Sequence, residues 1–118
     1  MRFDVITLFP ELFAPFLTSG VTRRAYESGL VEVKLWNLRD YAEGNYKRVD
    51  DRPFGGGPGM VMLAEPLALC LAAIRAERAS SNDPVVLFSP VGKVLIMPQL
   101  KAGLPARARY WFVVAMKG

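Results

Sequence analysis

The residues best equipped for chemistry stand in one short run, Val49-Asp50-Asp51-Arg52-Pro53-Phe54-Gly55-Gly56-Gly57-Pro58-Gly59-Met60. Four glycines and two prolines fall within the seven residues 53–59. Glycines bare backbone N–H groups and let a ligand come close. Prolines limit the slack that glycines bring. The acids and the arginine ahead of them offer charge-assisted hydrogen bonds to a polar partner. The spacing is not that of a phosphate loop, because no Gly-Lys-Ser/Thr follows. It is not that of a dinucleotide loop either, because a polar segment and not a buried strand precedes it. On composition alone, a ligand-binding loop and a surface turn cluster are equally open readings.

Other chemistries find little material. There is no histidine, so the commonest general base and metal ligand is missing. The single cysteine, Cys70, rules out an internal disulfide and favours a reducing compartment. With one cysteine and no histidine, no metal site is expected. Cys70 lies among Leu67, Ala68, Leu69 and Leu71, which reads as a small buried hydrophobe and not a reactive thiol. The net charge of +4, from 15 basic and 11 acidic residues, admits a nucleic-acid partner without demanding one. Arg23, Arg24, Lys47, Arg48 and Arg52 are the cations placed to face phosphate, with solvated surface the default for any one of them. No leader-like apolar region opens the chain, and no apolar run approaches a membrane span, so a cytoplasmic protein is expected.

The elements that must position the loop follow from periodicity. A buried strand is expected over 3–8, then a helix over 11–17 opened by Pro10. A second short helix over 21–28 closes at Gly29. Residues 31–38 alternate, with Val31, Val33 and Leu35 inward and Glu32, Lys34 and Trp36 outward. Residues 39–59 show little periodicity, and so long an irregular stretch in a compact domain is usually functional or mobile. Over 63–79 a helix buries Leu67, Cys70, Leu71 and Ile74 and turns Arg75, Glu77 and Arg78 outward. Residues 80–83 form a turn, and short apolar strands follow over 84–88 and 110–115, with 93–109 ambiguous. The chain of 118 residues is long enough for one domain, and the element order is that of an α/β fold with a largely parallel sheet.

At the glycine-proline loop the sequence resembles the bacterial tRNA (guanine-N1)-methyltransferases, the TrmD family of the SPOUT superfamily. Other motifs match in order: Ile6-Thr7-Leu8-Phe9-Pro10-Glu11-Leu12-Phe13, Gly20-Val21-Thr22-Arg23-Arg24-Ala25, Trp36-Asn37-Leu38-Arg39-Asp40-Tyr41, Glu65-Pro66-Leu67 and Leu87-Phe88-Ser89-Pro90-Val91-Gly92. They run from residue 1 to about residue 95. The resemblance implies methyl transfer from S-adenosylmethionine to N1 of the guanosine 3′ of the anticodon, by a SPOUT-type parallel-sheet domain acting on tRNA as a homodimer. It implies that Gly57, Pro58 and Gly59 approach the guanine, and that Asp50 and Arg52 support or contact RNA beside it. It implies that Leu87, Phe88, Ser89, Pro90 and Gly92 form one wall of the S-adenosylmethionine pocket. Asp50 and Asp51 lie near the loop, but no carboxylate here matches the family's general base, so no catalytic residue is assigned.

The family continues through a Cys-Gly-Arg-Tyr-Glu-Gly-like motif, a second glycine-rich loop, a deep trefoil knot and a C-terminal tRNA-binding domain. The expectation is therefore a single partial methyltransferase domain over 1–118, with the knot region incomplete or absent and the C-terminal domain absent. Pro98, Gly103 and Pro105 make a poor helix where the family has one. One allowed codon choice for residues 110–118, read from the third base of the Tyr110 codon, encodes Leu-Val-Cys-Gly-Arg-His-Glu-Gly. That near-match suggests an out-of-frame reading; the alternative is a genuine apolar strand. The competing functional reading is a non-catalytic truncated or frameshifted fragment that at most binds RNA weakly or dimerises.

Overall fold

A computed structural model describes residues 1–78, 85–88, 94 and 96, and the backbone alone of 110–114. Arg2–Thr7 forms β1, whose last four residues are buried. The hydroxyl of Thr7 accepts the Phe9 N–H at 3.1 Å, fixing the chain as it leaves the strand. The expected helix over 11–17 is divided. A 3-10 turn, Pro10–Phe13, passes into α1, Ala14–Thr18, and each piece carries a proline at its N-terminal end. Proline lacks the N–H that a continuous helix needs at Pro15, so hydrogen bonding restarts there. The second helix, α2, is Arg23–Glu27, and Gly29 follows at φ 72°, the left-handed terminus its position suggests.

Strand β2 is Glu32–Asn37 and pairs in parallel with β1, placing Phe3 beside Val33 and Ile6 beside Trp36. Here the expected facing is corrected, because Trp36 is buried and Val33 and Leu35 are half-buried. Both faces of the strand are covered, so simple alternation does not separate inside from outside. Asp4, Ile6 and Trp36 share the face toward the long helix α3, Ala64–Arg78, while Phe3, Val5 and Val33 share the face toward α1 and α2.

Along α3 the buried residues are Pro66, Cys70, Ile74 and Arg78, one every fourth position. Arg78, expected on the outer face, therefore continues the buried stripe. Its guanidinium pairs with the carboxylate of Asp4, which is wholly buried. The same carboxylate accepts the Trp36 indole N–H at 2.9 Å and an Arg2 N–H at 2.9 Å. Glu77, one residue earlier, pairs with Arg2 at 2.6 Å and with Lys34. The Lys34 ammonium lies 4.3 Å from the centre of the Trp36 ring. Helix and sheet are thus joined by a chain of ion pairs as well as by apolar packing.

The stretch over 39–59 is more ordered than its composition suggests. A 3-10 turn, Leu38–Tyr41, is capped by the Asn37 side chain accepting the Arg39 N–H at 3.1 Å. Leu38, Ala42 and Val49 are buried in the core with Ile6, Trp36, Cys70 and Ile74. Two short strands, β3 (Asp50–Asp51) and β4 (Val61–Met62), pair antiparallel and lead into α3.

Strand β5, Val85–Phe88, and strand β6, Tyr110–Val114, complete a parallel sheet of order β2-β1-β6-β5. Strand β6 lies between β1 and β5, setting Ile6 beside Val113 and Phe88 beside Val114. This is the expected α/β class. The turn over 80–83 and most of the ambiguous 93–109 segment, with Pro98, Gly103 and Pro105, lie outside the described residues.

Candidate functional site

The glycine-proline loop is the tip of the β3–β4 hairpin. Asp50 stands opposite Met62 and Asp51 opposite Val61, and the Leu63 N–H reaches back to the Val49 carbonyl at 2.8 Å. Buried Val49 anchors the base of this hairpin in the core. Asp50 is half-buried at that base, while Asp51 and Arg52 are exposed. The Asp51 carboxylate accepts the Arg52 N–H at 2.7 Å. Beyond it, the Gly56 N–H donates to the Pro53 carbonyl at 3.0 Å, closing a turn around Phe54 and Gly55.

Gly57 has φ 115°, where side chains other than glycine's are rarely found. A Cβ added there would meet nothing within 4 Å. Glycine is therefore required by backbone conformation, and the space beside it is open to an incoming group. Gly57, Pro58 and Gly59 are all exposed. The structure thus brings Asp50, Arg52 and the Gly57-Pro58-Gly59 tip onto one hairpin. Sequence periodicity misses the hairpin because each strand is only two residues long. It also passes over Phe54, whose side chain is fully exposed at the tip. The available signal is an aromatic residue standing between a proline and a glycine run.

The second group of candidates lies on β5. Leu87 and Phe88 are exposed at its carboxyl end, while Ser89, Pro90 and Gly92 lie outside the described residues. Across the sheet the carboxyl edge runs Asn37, Thr7, Val114, Phe88. Strand β1 has its successor β2 on one side and β6, then β5, on the other. Open parallel sheets bind ligands outside the carboxyl ends of their strands. Phe88 also borders an apolar cleft of about 380 Å³ with Phe3, Val5, Phe13, Phe16 and Val33.

Elsewhere the titrating groups look structural. Burial pushes the Cys70 thiol up to about 12, which keeps it protonated and inert. Burial likewise raises the Tyr41 phenol. Hydrogen bonds from Lys34 and Arg2 lower the Glu77 carboxyl. Among the described residues no group of three or more His, Cys, Asp or Glu side chains is placed to hold a metal ion. Nor is any of their helices long and apolar enough to cross a membrane.

With this geometry in hand, similarity to known proteins is specific. Residues 1–114 match the family model described as tRNA (Guanine-1)-methyltransferase TrmD. The match runs past residue 95, beyond the motifs quoted above, and includes β6. A tRNA (guanine-N(1)-)-methyltransferase of a Polaromonas species is 76% identical over 98 residues, covering 80% of this chain and 38% of the relative. The corresponding protein of Paracidovorax citrulli is 72% identical over 98 residues with the same coverage. The crystal structure of tRNA (m1G37) methyltransferase from Aquifex aeolicus superimposes with a TM-score of 0.81 at 29% identity, covering 96% of this chain and 50% of that one. The chain thus spans 38% of the length of these two curated relatives.

Proposed function

Since this chain belongs to the tRNA (guanine-1)-methyltransferase TrmD family, we propose that it supplies a cofactor-pocket wall and the guanine-approaching hairpin of an enzyme that methylates N1 of the guanosine 3′ of the anticodon. The methyl donor in this reading is S-adenosylmethionine, whose sulfonium supplies an electrophilic methyl group. The observation that carries the reading is the hairpin: an open tip with Gly57 at φ 115°, mounted on half-buried Asp50 and buried Val49.

The target nitrogen carries a proton in neutral guanine, so methylation needs a base for that proton and a methyl group in line with the ring plane. The guanine must also leave its stack to be reached. The work of this chain is positioning. Gly57, Pro58 and Gly59 are exposed and offer backbone to an incoming base, and no neighbouring atom fills the space beside Gly57. Asp50 and Arg52 hold polar groups of the RNA beside it, and the exposed Arg52 guanidinium suits phosphate. Leu87 and Phe88 present apolar surface at the carboxyl edge, which suits one face of an adenosine group. Ser89, Pro90 and Gly92 would extend that wall. The proton acceptor, the knotted SPOUT turn and the tRNA-binding domain belong in this reading to the longer protein, working as a cytoplasmic homodimer.

The test is a chimera in which residues 1–88 replace the matching segment of the Polaromonas relative. Transfer of labelled methyl to N1 of that guanosine in a tRNA transcript is the expected result. The 118-residue chain by itself is expected to give no turnover. A folded chimera without methyl transfer, or one that methylates a different position, would refute the reading.

A further inference from the structure

Phe54 is the one large aromatic on the hairpin tip, and its environment is unusual. Its side chain has 108% of the exposure of an isolated reference residue, so nothing in the described structure touches it appreciably. It is nevertheless held, since the Gly56 N–H to Pro53 carbonyl bond closes the turn that carries it and Pro53 restrains the backbone before it. A phenylalanine left in water forgoes the burial that normally favours that residue. Within the fold it therefore earns no packing stabilisation.

The surroundings indicate what would cover it. Lys47 and Arg48, ahead of β3, and Arg52, just after it, are exposed, and none has a carboxylate within ion-pair distance among the described residues. On the other side, a Cβ added at Gly55, Gly56 or Gly57 would meet nothing within 4 Å, so a flat group can approach without obstruction. An uncovered aromatic ring on a closed turn, with unpaired cations close to it in the chain, is the composition of a platform for single-stranded nucleic acid, where rings stack on bases and cations meet phosphates.

We propose that Phe54 is a stacking platform for an unpaired base of the RNA loop that holds the target guanosine. This rests on the reading of the chain as part of an RNA methyltransferase. It adds a residue that positions substrate without taking part in proton or methyl transfer.

The experiment measures binding of the chimera described above to a labelled RNA stem-loop with a guanosine in its loop, with Phe54 intact and as Phe54→Ala, Phe54→Leu and Phe54→Trp. Alanine and leucine should each weaken binding by about 5- to 150-fold, the span of one base–aromatic stack. Tryptophan should bind at least as well as phenylalanine. The slope of log affinity against log salt should be unchanged in all three, because no charge is altered. Fluorescence of a 2-aminopurine placed in the loop should be quenched by the Trp variant and not by the Ala variant. Because the side chain is exposed, thermal unfolding should be the same throughout. Equal affinity for the leucine variant and the unsubstituted chimera would overturn the stacking role and leave the parent reading standing. Failure of the folded, unsubstituted chimera to bind the stem-loop would overturn both.

Discussion

Replacing Asp4 by asparagine removes one charge from the interior while leaving side-chain shape almost unchanged. The carboxylate is wholly buried and is shared by Trp36, Arg2 and Arg78. An asparagine oxygen can still accept the indole N–H. It cannot balance the Arg78 guanidinium, whose side chain is 2% exposed. Breaking a buried pair from one side costs about 3–5 kcal/mol. That is a large share of the roughly 5–15 kcal/mol by which a domain is stable. Urea denaturation followed by tryptophan fluorescence reads the loss as a lower midpoint at unchanged slope. The exposed end of the network provides the control, since Glu77→Gln removes a half-exposed partner and should cost much less. Combining Asp4→Asn with Arg78→Met removes the orphaned charge, so the double variant should be more stable than the sum of the single losses predicts, by about 0.5–3 kcal/mol. A loss below about 1 kcal/mol for Asp4→Asn, or strict additivity, would show that the pair does not hold α3 on the sheet.

Two further perturbations separate stability from substrate positioning. Gly57→Ala places a Cβ at φ 115° and costs about 1–3 kcal/mol of local strain. At an exposed tip that strain should reshape the loop more than unfold the domain, so methyl transfer by the chimera should collapse with little change in melting temperature; an active variant would contradict the assignment. The Cys70 thiol, raised by burial from 9.0 to about 12, stays protonated in the fold at pH values where the unfolded chain has lost its proton. Stability from this group is complete below pH 9.0 and falls as pH rises toward about 12. Cys70→Ala should flatten that alkaline decline while lowering the baseline, and thiol reagents should label Cys70 only after denaturant is added; rapid labelling of the native chain would contradict its burial.

The longest helix, the first strands and the parallel class were legible because their patterns repeat over several residues. What escaped did so for local reasons. Trp36 follows the polar phase of β2, yet its indole N–H has a buried carboxylate to meet. Arg78 is a surface residue by type, but four residues beyond Ile74 it falls on the core face. The hairpin is hidden by strands too short to show alternation. For the candidate site, the type and order of residues 50–59 marked the loop, but its hairpin form depends on Val49 reaching a core assembled from distant segments. Open space around Gly57 and the uncovered ring of Phe54 are properties of surroundings, which no single residue states.

The central position of β6 governs the order in which the sheet can assemble. Strands β1 and β2 are close in sequence and can pair early, but one edge of β1 has to wait for β6, the latest in sequence of the described strands. Until then β1 and β5 each expose an unsatisfied ladder, the kind of edge that recruits neighbouring chains. On a ribosome that interval lasts while the segment between β5 and β6 is made. Loop closure across nearly the whole chain makes this step slow. Chaperone dependence and yield during expression should therefore respond to the β5–β6 connection more than to substitutions in the hairpin.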